Sequence, residues 1–209
     1  MYISLAPCSY RYTEEVKYVV GIDEVGRGPL AGPVSIGIVV CRKHFSIDGI
    51  TDSKKMSEEA RERVFLIAEK MREDGLLNFG VFSSPSDMID AEGIERAISD
   101  AVRRGLKELV PDSSEADVVL DGRLSAPDEY YQQSIIRGDF LVPAISLASI
   151  VAKVTRDRYM STEAESMFPG YGLAKHKGYG TADHIAAIKK LGPSTIHRTS
   201  YLRSFEMVR

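Results

Sequence analysis

The residues with the clearest chemical potential are acids that interrupt apolar runs. Asp23 and Glu24 are adjacent and follow Tyr18-Val19-Val20-Gly21-Ile22, and Asp121 closes Ala116-Asp117-Val118-Val119-Leu120 and precedes Gly122. Asp139 follows Arg137-Gly138 inside the apolar stretch 135–142. Runs rich in β-branched residues suit strands covered on both faces. A carboxylate at the rim of such a core is costly unless it is paired, hydrogen-bonded or bound to a metal. Ligands of open α/β sheets gather at the carboxyl ends of strands, so acids ending two strands are placed to meet. Directly after the first pair come Gly26-Arg27-Gly28, Pro29, Gly32 and Pro33. This backbone has few steric limits, one cation and exposed amides, which suits close approach of a phosphate.

The cations form two further groups. Thr51-Asp52-Ser53-Lys54-Lys55 is a polar turn, and Lys175-His176-Lys177-Gly178-Tyr179-Gly180-Thr181 interleaves cations, an aromatic ring and glycines. The second pattern fits contact with a nucleic-acid backbone. Residues 170–209 hold seven Lys/Arg against two Asp/Glu, so this segment carries +5 in a chain of −3 and the remainder carries −8. An acidic body with a basic tail can hold cations in one place and a polyanion in another.

These residues need elements to position them. Strands are expected at 17–22, Pro33–Cys41, Leu77–Ser83 and 116–121. Ser57 is placed to cap a helix with Ala60, Val64, Ile67, Ala68 and Met71 inward. Ser86 is expected to cap a short turn, and Ile94, Ala97, Ile98, Ala101, Val102 and Leu109 mark an amphipathic helix ending near Pro111. Ser146 is expected to cap a long helix with Leu147, Ile150, Val151 and Val154 inward and Lys153, Arg156, Asp157 and Arg158 on a charged face. Phe168–Gly172 breaks it. Thr181 then caps a last helix bearing Ile185, Ile188 and Leu191, ended by Gly192-Pro193.

At 209 residues and 44% apolar content the chain can bury one sizeable core. Two cysteines, Cys8 and Cys41, make no disulfide framework and no metal-type Cys/His spacing, so free thiols are expected. No charged leader with a long apolar block occurs, and no stretch approaches ~18 apolar residues. The expectation is a cytoplasmic monomer without a membrane span.

Gly21-Ile22-Asp23-Glu24-Val25-Gly26-Arg27-Gly28-Pro29-Leu30-Ala31-Gly32-Pro33 closely resembles the signature of type 2 ribonuclease H, ribonuclease HII. So do Asp52-Ser53-Lys54-Lys55, Asp121-Gly122, Gly138-Asp139, the run from Ala148 to Asp157, and His176 to Thr181. Gly192-Pro193-Ser194 and Ile196-His197-Arg198 resemble the bacterial branch. The resemblance keeps its order from about residue 17 to 203. It implies a ribonuclease H-like α/β fold, a mixed five-stranded sheet flanked by helices with a C-terminal helical extension. The division implied is a leader over 1–16, a catalytic domain over 17–168 and a basic helical segment over 169–209 packed on it. It implies that Asp23, Glu24, Asp121 and Asp139 form a catalytic metal site for Mg²⁺ or Mn²⁺. Gly26, Arg27 and Gly28 would grip the backbone at a ribonucleotide-to-DNA junction, Tyr179 would stack there, and Lys54 and Lys177 would contact the duplex. The partners implied are RNA/DNA hybrids and ribonucleotide-containing duplex DNA, cut 5′ to the ribonucleotide to leave 3′-hydroxyl and 5′-phosphate ends. Two departures stand out: Gly93 where the family often has Asn, and Leu147 where a small residue is usual. The type 3 paralogues carry an extra N-terminal domain, for which sixteen residues before the first strand leave no room.

The chemistry suits the residues. Two hard cations about 4 Å apart can activate water, relieve phosphoryl charge and stabilise a leaving oxygen, and such ions take oxygen ligands. Two carboxylates ~5 Å apart at an effective dielectric near 20 repel by roughly 3 kcal/mol, so a metal-free cluster should hold a proton on at least one acid. The competing readings are another ribonuclease H-like nuclease of the resolvase or integrase type, a non-catalytic hybrid-binding protein, and a small-molecule metallophosphatase.

Overall fold

A computed structural model describes residues 16–47 and 56–203. The expected leader before Val16, and Lys54 and Lys55, lie outside the described residues. β1 (Tyr18–Val25), β2 (Val34–Arg42) and β3 (Leu77–Ser84) form an antiparallel meander, and β4 (Ala116–Asp121) and β5 (Tyr131–Ile135) extend it in parallel from β1. The order is β3-β2-β1-β4-β5, a mixed five-stranded sheet.

Alternation sends each strand's side chains to two separate cores. Val20, Ile22, Ile36, Ile38, Val118 and Leu120 meet Ala97, Ala101, Val102 and Leu106. Those four come from α3 (Ile94–Leu109), which follows α1 (Glu58–Glu73) and α2 (Ser86–Glu92). On the other face Val19, Val39 and Val119 meet Val64, Phe65 and Ala68 of α1 and Ala144, Leu147, Ile150 and Val151. The latter lie on α5 (Pro143–Ser161), preceded by α4 (Gly138–Leu141). Cβ atoms added at Gly21 and Gly37 would fall 2.2 Å from the Ala144 carbonyl carbon and 2.1 Å from the Ala148 oxygen. The helix backbone of α5 therefore rests directly on β1 and β2.

A third core joins Leu30 and Ala31 to Met160, Tyr171, Leu173, Ile188, Ile196 and Leu202. It packs α6 (Glu163–Met167), α7 (Leu173–His176), α8 (Ala182–Leu191) and α9 (Thr199–Leu202) against the loop after β1. Ser57 accepts the Ala60 amide at 3.2 Å and Thr181 that of His184 at 3.3 Å, the expected caps of α1 and α8.

Several local expectations are corrected. β1 runs through Asp23 and Glu24 to Val25, because β2 continues to pair with it at Gly37, Ile36 and Ser35. Ser86 lies inside α2 and its hydroxyl donates to the Thr195 carbonyl, 3.0 Å, while Pro85 takes the N-cap position. Pro143 opens α5, and the Ser146 hydroxyl turns back to the carbonyls of Asp139 and Val142. Asp139 sits on α4, a single turn entered through left-handed Arg137. Ile67 and Leu191 are exposed, and Phe65 takes the core position on α1. Arg156, expected on a charged face, is fully buried, and α9 follows the helix expected to be last. Both family departures have local reasons. Gly93 joins α2 to α3 at φ 85°, ψ 159°, a conformation essentially confined to glycine, and Leu147 is fully buried in the α5 core.

Candidate active site

The sheet brings three of the four predicted acids to one face, and the fourth, Glu24, leaves the other. In the parallel β1–β4 ladder Ile22 is opposite Leu120, so Asp23 and Asp121 are next in register on the α5 face. Asp139, on the turn after β5, donates its amide to Asp121 Oδ1 at 3.4 Å. Glu24 is one residue beyond Asp23 and so leaves the opposite face of β1. There its carboxylate receives Arg27 Nε at 3.2 Å, and the Arg27 guanidinium also pairs with Glu95 at the start of α3.

The electrostatics of this cluster are those of anions short of counter-charge. Asp23 is 5% exposed. Burial pushes its pKa up to about 8, with Glu24 and Asp121 adding to the rise, while hydrogen bonds from Ser149 and the Glu24 amide, 2.8 Å away, oppose it. Burial also raises Glu24, and Asp121 adds to the shift against the pull of Arg27. Among the described residues no three His, Cys, Asp or Glu side chains are gathered into a ready-made metal cage: Glu24 is held by Arg27 and Asp23 by Ser149. The donor set nevertheless suits a hard divalent cation, since it is all oxygen, and a cation would offset both the burial and the added charge of Glu24 and Asp121 that raise Asp23.

Beside the acids lies the loop from Gly26 to Pro33, and its carbonyls are satisfied from below. Arg198, fully buried, donates to Gly26 O at 2.6 Å, Arg27 O at 2.9 Å and Gly32 O at 2.9 Å. Arg156 donates to Pro33 O at 2.9 Å and Ala31 O at 3.2 Å, and to Lys177 O at 3.0 Å. The Tyr201 hydroxyl adds a 3.1 Å bond to Arg27 O. Among the described residues the amides of Gly26, Arg27 and Gly28 meet no protein acceptor, and nothing lies within 4 Å of a Cβ built on Gly28. The loop is thus fixed by its carbonyls and by the N–H groups of Leu30, Ala31 and Gly32, and offers those of Gly26 to Gly28.

The Lys175–Thr181 segment is tied to the same loop, because Leu30 N–H donates to Gly178 O at 2.8 Å. Tyr179 is 42% exposed beside it, with Lys153 Nζ 6.0 Å from its ring centre. Lys177 turns its ammonium inward to Ser161 Oγ and the Ala174 carbonyl. Sequence reasoning missed the roles of Arg156, Arg198 and Ser149; all three sit in the runs that resembled the family, and that was their one available signal. A separate cavity of about 620 Å³, lined by Pro33, Ser35, Phe65, Ser83, Arg158 and Tyr159 among others, includes none of the acids.

A mixed five-stranded sheet with helices on both faces and acids at its central strand ends is a ribonuclease H-like fold. The ribonuclease H2 of Pyrococcus horikoshii superimposes with a TM-score of 0.70 over 90% of this chain and 97% of that one at 24% identity. Bst-RNase HIII, crystallised with Mn²⁺, gives 0.63 over 92% and 71% at 16% identity. At these identities the likeness speaks for the fold. The sequence narrows it further: residues 20–204 match the Ribonuclease HII family. The Ribonuclease HII of Ruminiclostridium cellulolyticum is 43% identical over 194 residues, 92% of this chain and 73% of that protein. The chain belongs to the ribonuclease HII family and is an endoribonuclease of the ribonuclease H class, a phosphodiester hydrolase. No helix among the described residues is long and apolar enough to cross a membrane.

Proposed function

We propose that the protein hydrolyses the RNA strand of RNA/DNA hybrids and cuts 5′ to single ribonucleotides embedded in duplex DNA, using Mg²⁺ or Mn²⁺ and leaving 3′-hydroxyl and 5′-phosphate ends. The carrying observation is the junction of two opposites: carboxylates short of counter-charge, and an amide-offering loop attached to them through the Arg27–Glu24 ion pair. Asp23, Glu24, Asp121 and Asp139 would hold the cations, which when bound activate water and offset phosphoryl charge. Arg27, which bridges Glu24 and Glu95, stands beside these acids to meet phosphate. The amides of Gly26 to Gly28 read the sugar-phosphate backbone and the 2′-hydroxyl, the group that distinguishes RNA from DNA at one sugar. Tyr179 stacks on the sugar or base at the junction. The inward ammonium of Lys177 holds this segment in shape, so its contribution to the duplex passes through loop position. Lys54 remains a proposed duplex contact.

The test is cleavage of a DNA duplex bearing one ribonucleotide, with and without chelator, by wild type and Tyr179→Ala. The expected result is metal-dependent cutting at the 5′ side and a large loss in Tyr179→Ala. Cutting that survives chelation would refute the metal assignment, and an undiminished Tyr179→Ala would refute junction sensing.

A further inference from the structure

Beneath Tyr179 lie three buried histidines from three successive segments. His176 and His184 stack with ring centres 4.1 Å apart at 20°, and His184 Nε2 lies 3.1 Å from His197 Nε2. Tyr171 closes the group against His197 at 4.7 Å. Two nitrogens at that separation need one proton between them, and the neighbours say which ring carries it. Ser194 N–H points at His197 Nδ1, 3.0 Å, so that nitrogen accepts and the His197 proton is on Nε2. His184 Nε2 then accepts, which leaves its proton on Nδ1, aimed at the Tyr179 carbonyl 2.9 Å away. The assignment is self-consistent along the whole chain of bonds. Burial lowers His184, and burial with the neighbouring His184 pushes His197 down to about 4, the direction that a chain of neutral rings requires.

His176 completes the bracket around the tyrosine. Its Nδ1 accepts Gly178 N–H at 3.2 Å, its Nε2 faces Tyr171 O at 2.8 Å, and its own carbonyl accepts Tyr179 N–H at 2.9 Å. The Tyr179 N–H is therefore committed to His176, and its carbonyl is shared between His184 and the Thr181 N–H, 2.8 Å away.

We propose that His184 and His197 are positioning residues for ribonucleotide recognition: a neutral-imidazole relay, Ser194 N–H to His197 to His184 to the Tyr179 carbonyl, sets where the Tyr179 ring stands. This rests on the reading of Tyr179 as the junction-sensing ring. The relay acts on substrate engagement and leaves the acids untouched. His184→Phe keeps a ring against His176 and deletes the donor. Losing one such hydrogen bond corresponds to about a tenfold effect, expected here as a rise in KM on the single-ribonucleotide duplex with kcat nearly unchanged. His184→Asn, whose amide nitrogen replaces Nδ1, should restore most of the loss.

The experiment pairs two readouts. Nitrogen-15 NMR of the imidazoles in the intact wild-type protein should find His197 protonated at Nε2 and His184 at Nδ1; any other tautomer pair overturns the relay. Kinetics of His184→Phe in wild-type and Tyr179→Ala backgrounds should show the KM rise in the first and none in the second. An equal rise in both overturns positioning through Tyr179. If Tyr179→Ala alone cuts normally, the junction reading fails, and the NMR result still decides the relay. Should His184→Phe fold poorly, His197→Gln, which can keep a donor toward His184, is expected to retain a near-wild-type KM, and a tenfold rise there counts against the relay.

Discussion

The acids ending β1 and β4 and the arginines beneath the loop after β1 are both buried charges, and they are satisfied in opposite ways. Arg156 and Arg198 form no ion pair among the described residues; backbone carbonyls of Gly26, Arg27, Ala31, Gly32 and Pro33 take their protons. Burial and the neighbouring Arg198 push Arg156 down to about 10, which leaves it charged at neutral pH. Asp23 has hydrogen bonds too, yet holds its proton up to about pH 8. One set is satisfied by carbonyls and builds shape. The other is raised by burial and by its own like charges, and a strongly perturbed buried charge is the better marker of chemistry.

The sharpest way to break this comparison is Asp121→Asn. Cleavage should fall on the order of a thousandfold or more, a loss of about 4 kcal/mol of transition-state stabilisation, while thermal stability in chelator stays level or rises. A large stability loss with activity retained would put Asp121 with the structural charges. The next effect belongs to the other set. Arg198→Met strands the Gly26 and Gly32 carbonyls, leaves Arg27 O to the Tyr201 hydroxyl, and should cost about 3 kcal/mol, roughly a 10 °C drop in melting temperature. A shift of a degree or two would show that water replaces the guanidinium and that the bed is less complete than its geometry suggests.

The smallest effect concerns pH in the metal-free protein. Burial raises Asp23 in the fold from the ordinary carboxylate value near 3.8 to about 8. Below pH 4 folded and unfolded forms both carry the proton; between pH 4 and 8 only the folded form does. Stability from this group is therefore full at low pH and is lost as pH rises toward 8, by at most about 1.4 kcal/mol per unit. Urea midpoints in chelator at pH 5 and pH 7.5 should differ more for wild type than for Asp23→Asn. Parallel behaviour of the two proteins would contradict the assignment.

The legible parts of the sequence were those in which residue identity carries the interaction. Side-chain oxygens at Ser57 and Thr181 read as caps, the stripe from Ile94 to Leu109 reads as a buried helix face, and paired apolar runs ending in acids place Asp23 near Asp121. Arg156 and Arg198 were opaque for the converse reason: their acceptors are backbone carbonyls, which every residue has. The same blindness exaggerates the basic tail, since Arg198 is buried and the Lys177 ammonium turns inward. β5 gave no periodic signal because none of its five residues is buried. The acids were placed after β1 when they lie within it, since a strand's end depends on how far its partner continues.

The absent side chains of Gly21 and Gly37 set how deeply α5 beds on the sheet. Gly37 is the cross-strand neighbour of Asp23, and the helix residue after its Ala148 contact is Ser149, which hydrogen-bonds that acid. Two hydrogen atoms in place of methyl groups thus act as a depth gauge: a single added carbon at either position would lift the helix and draw the serine away from the carboxylate in the same movement.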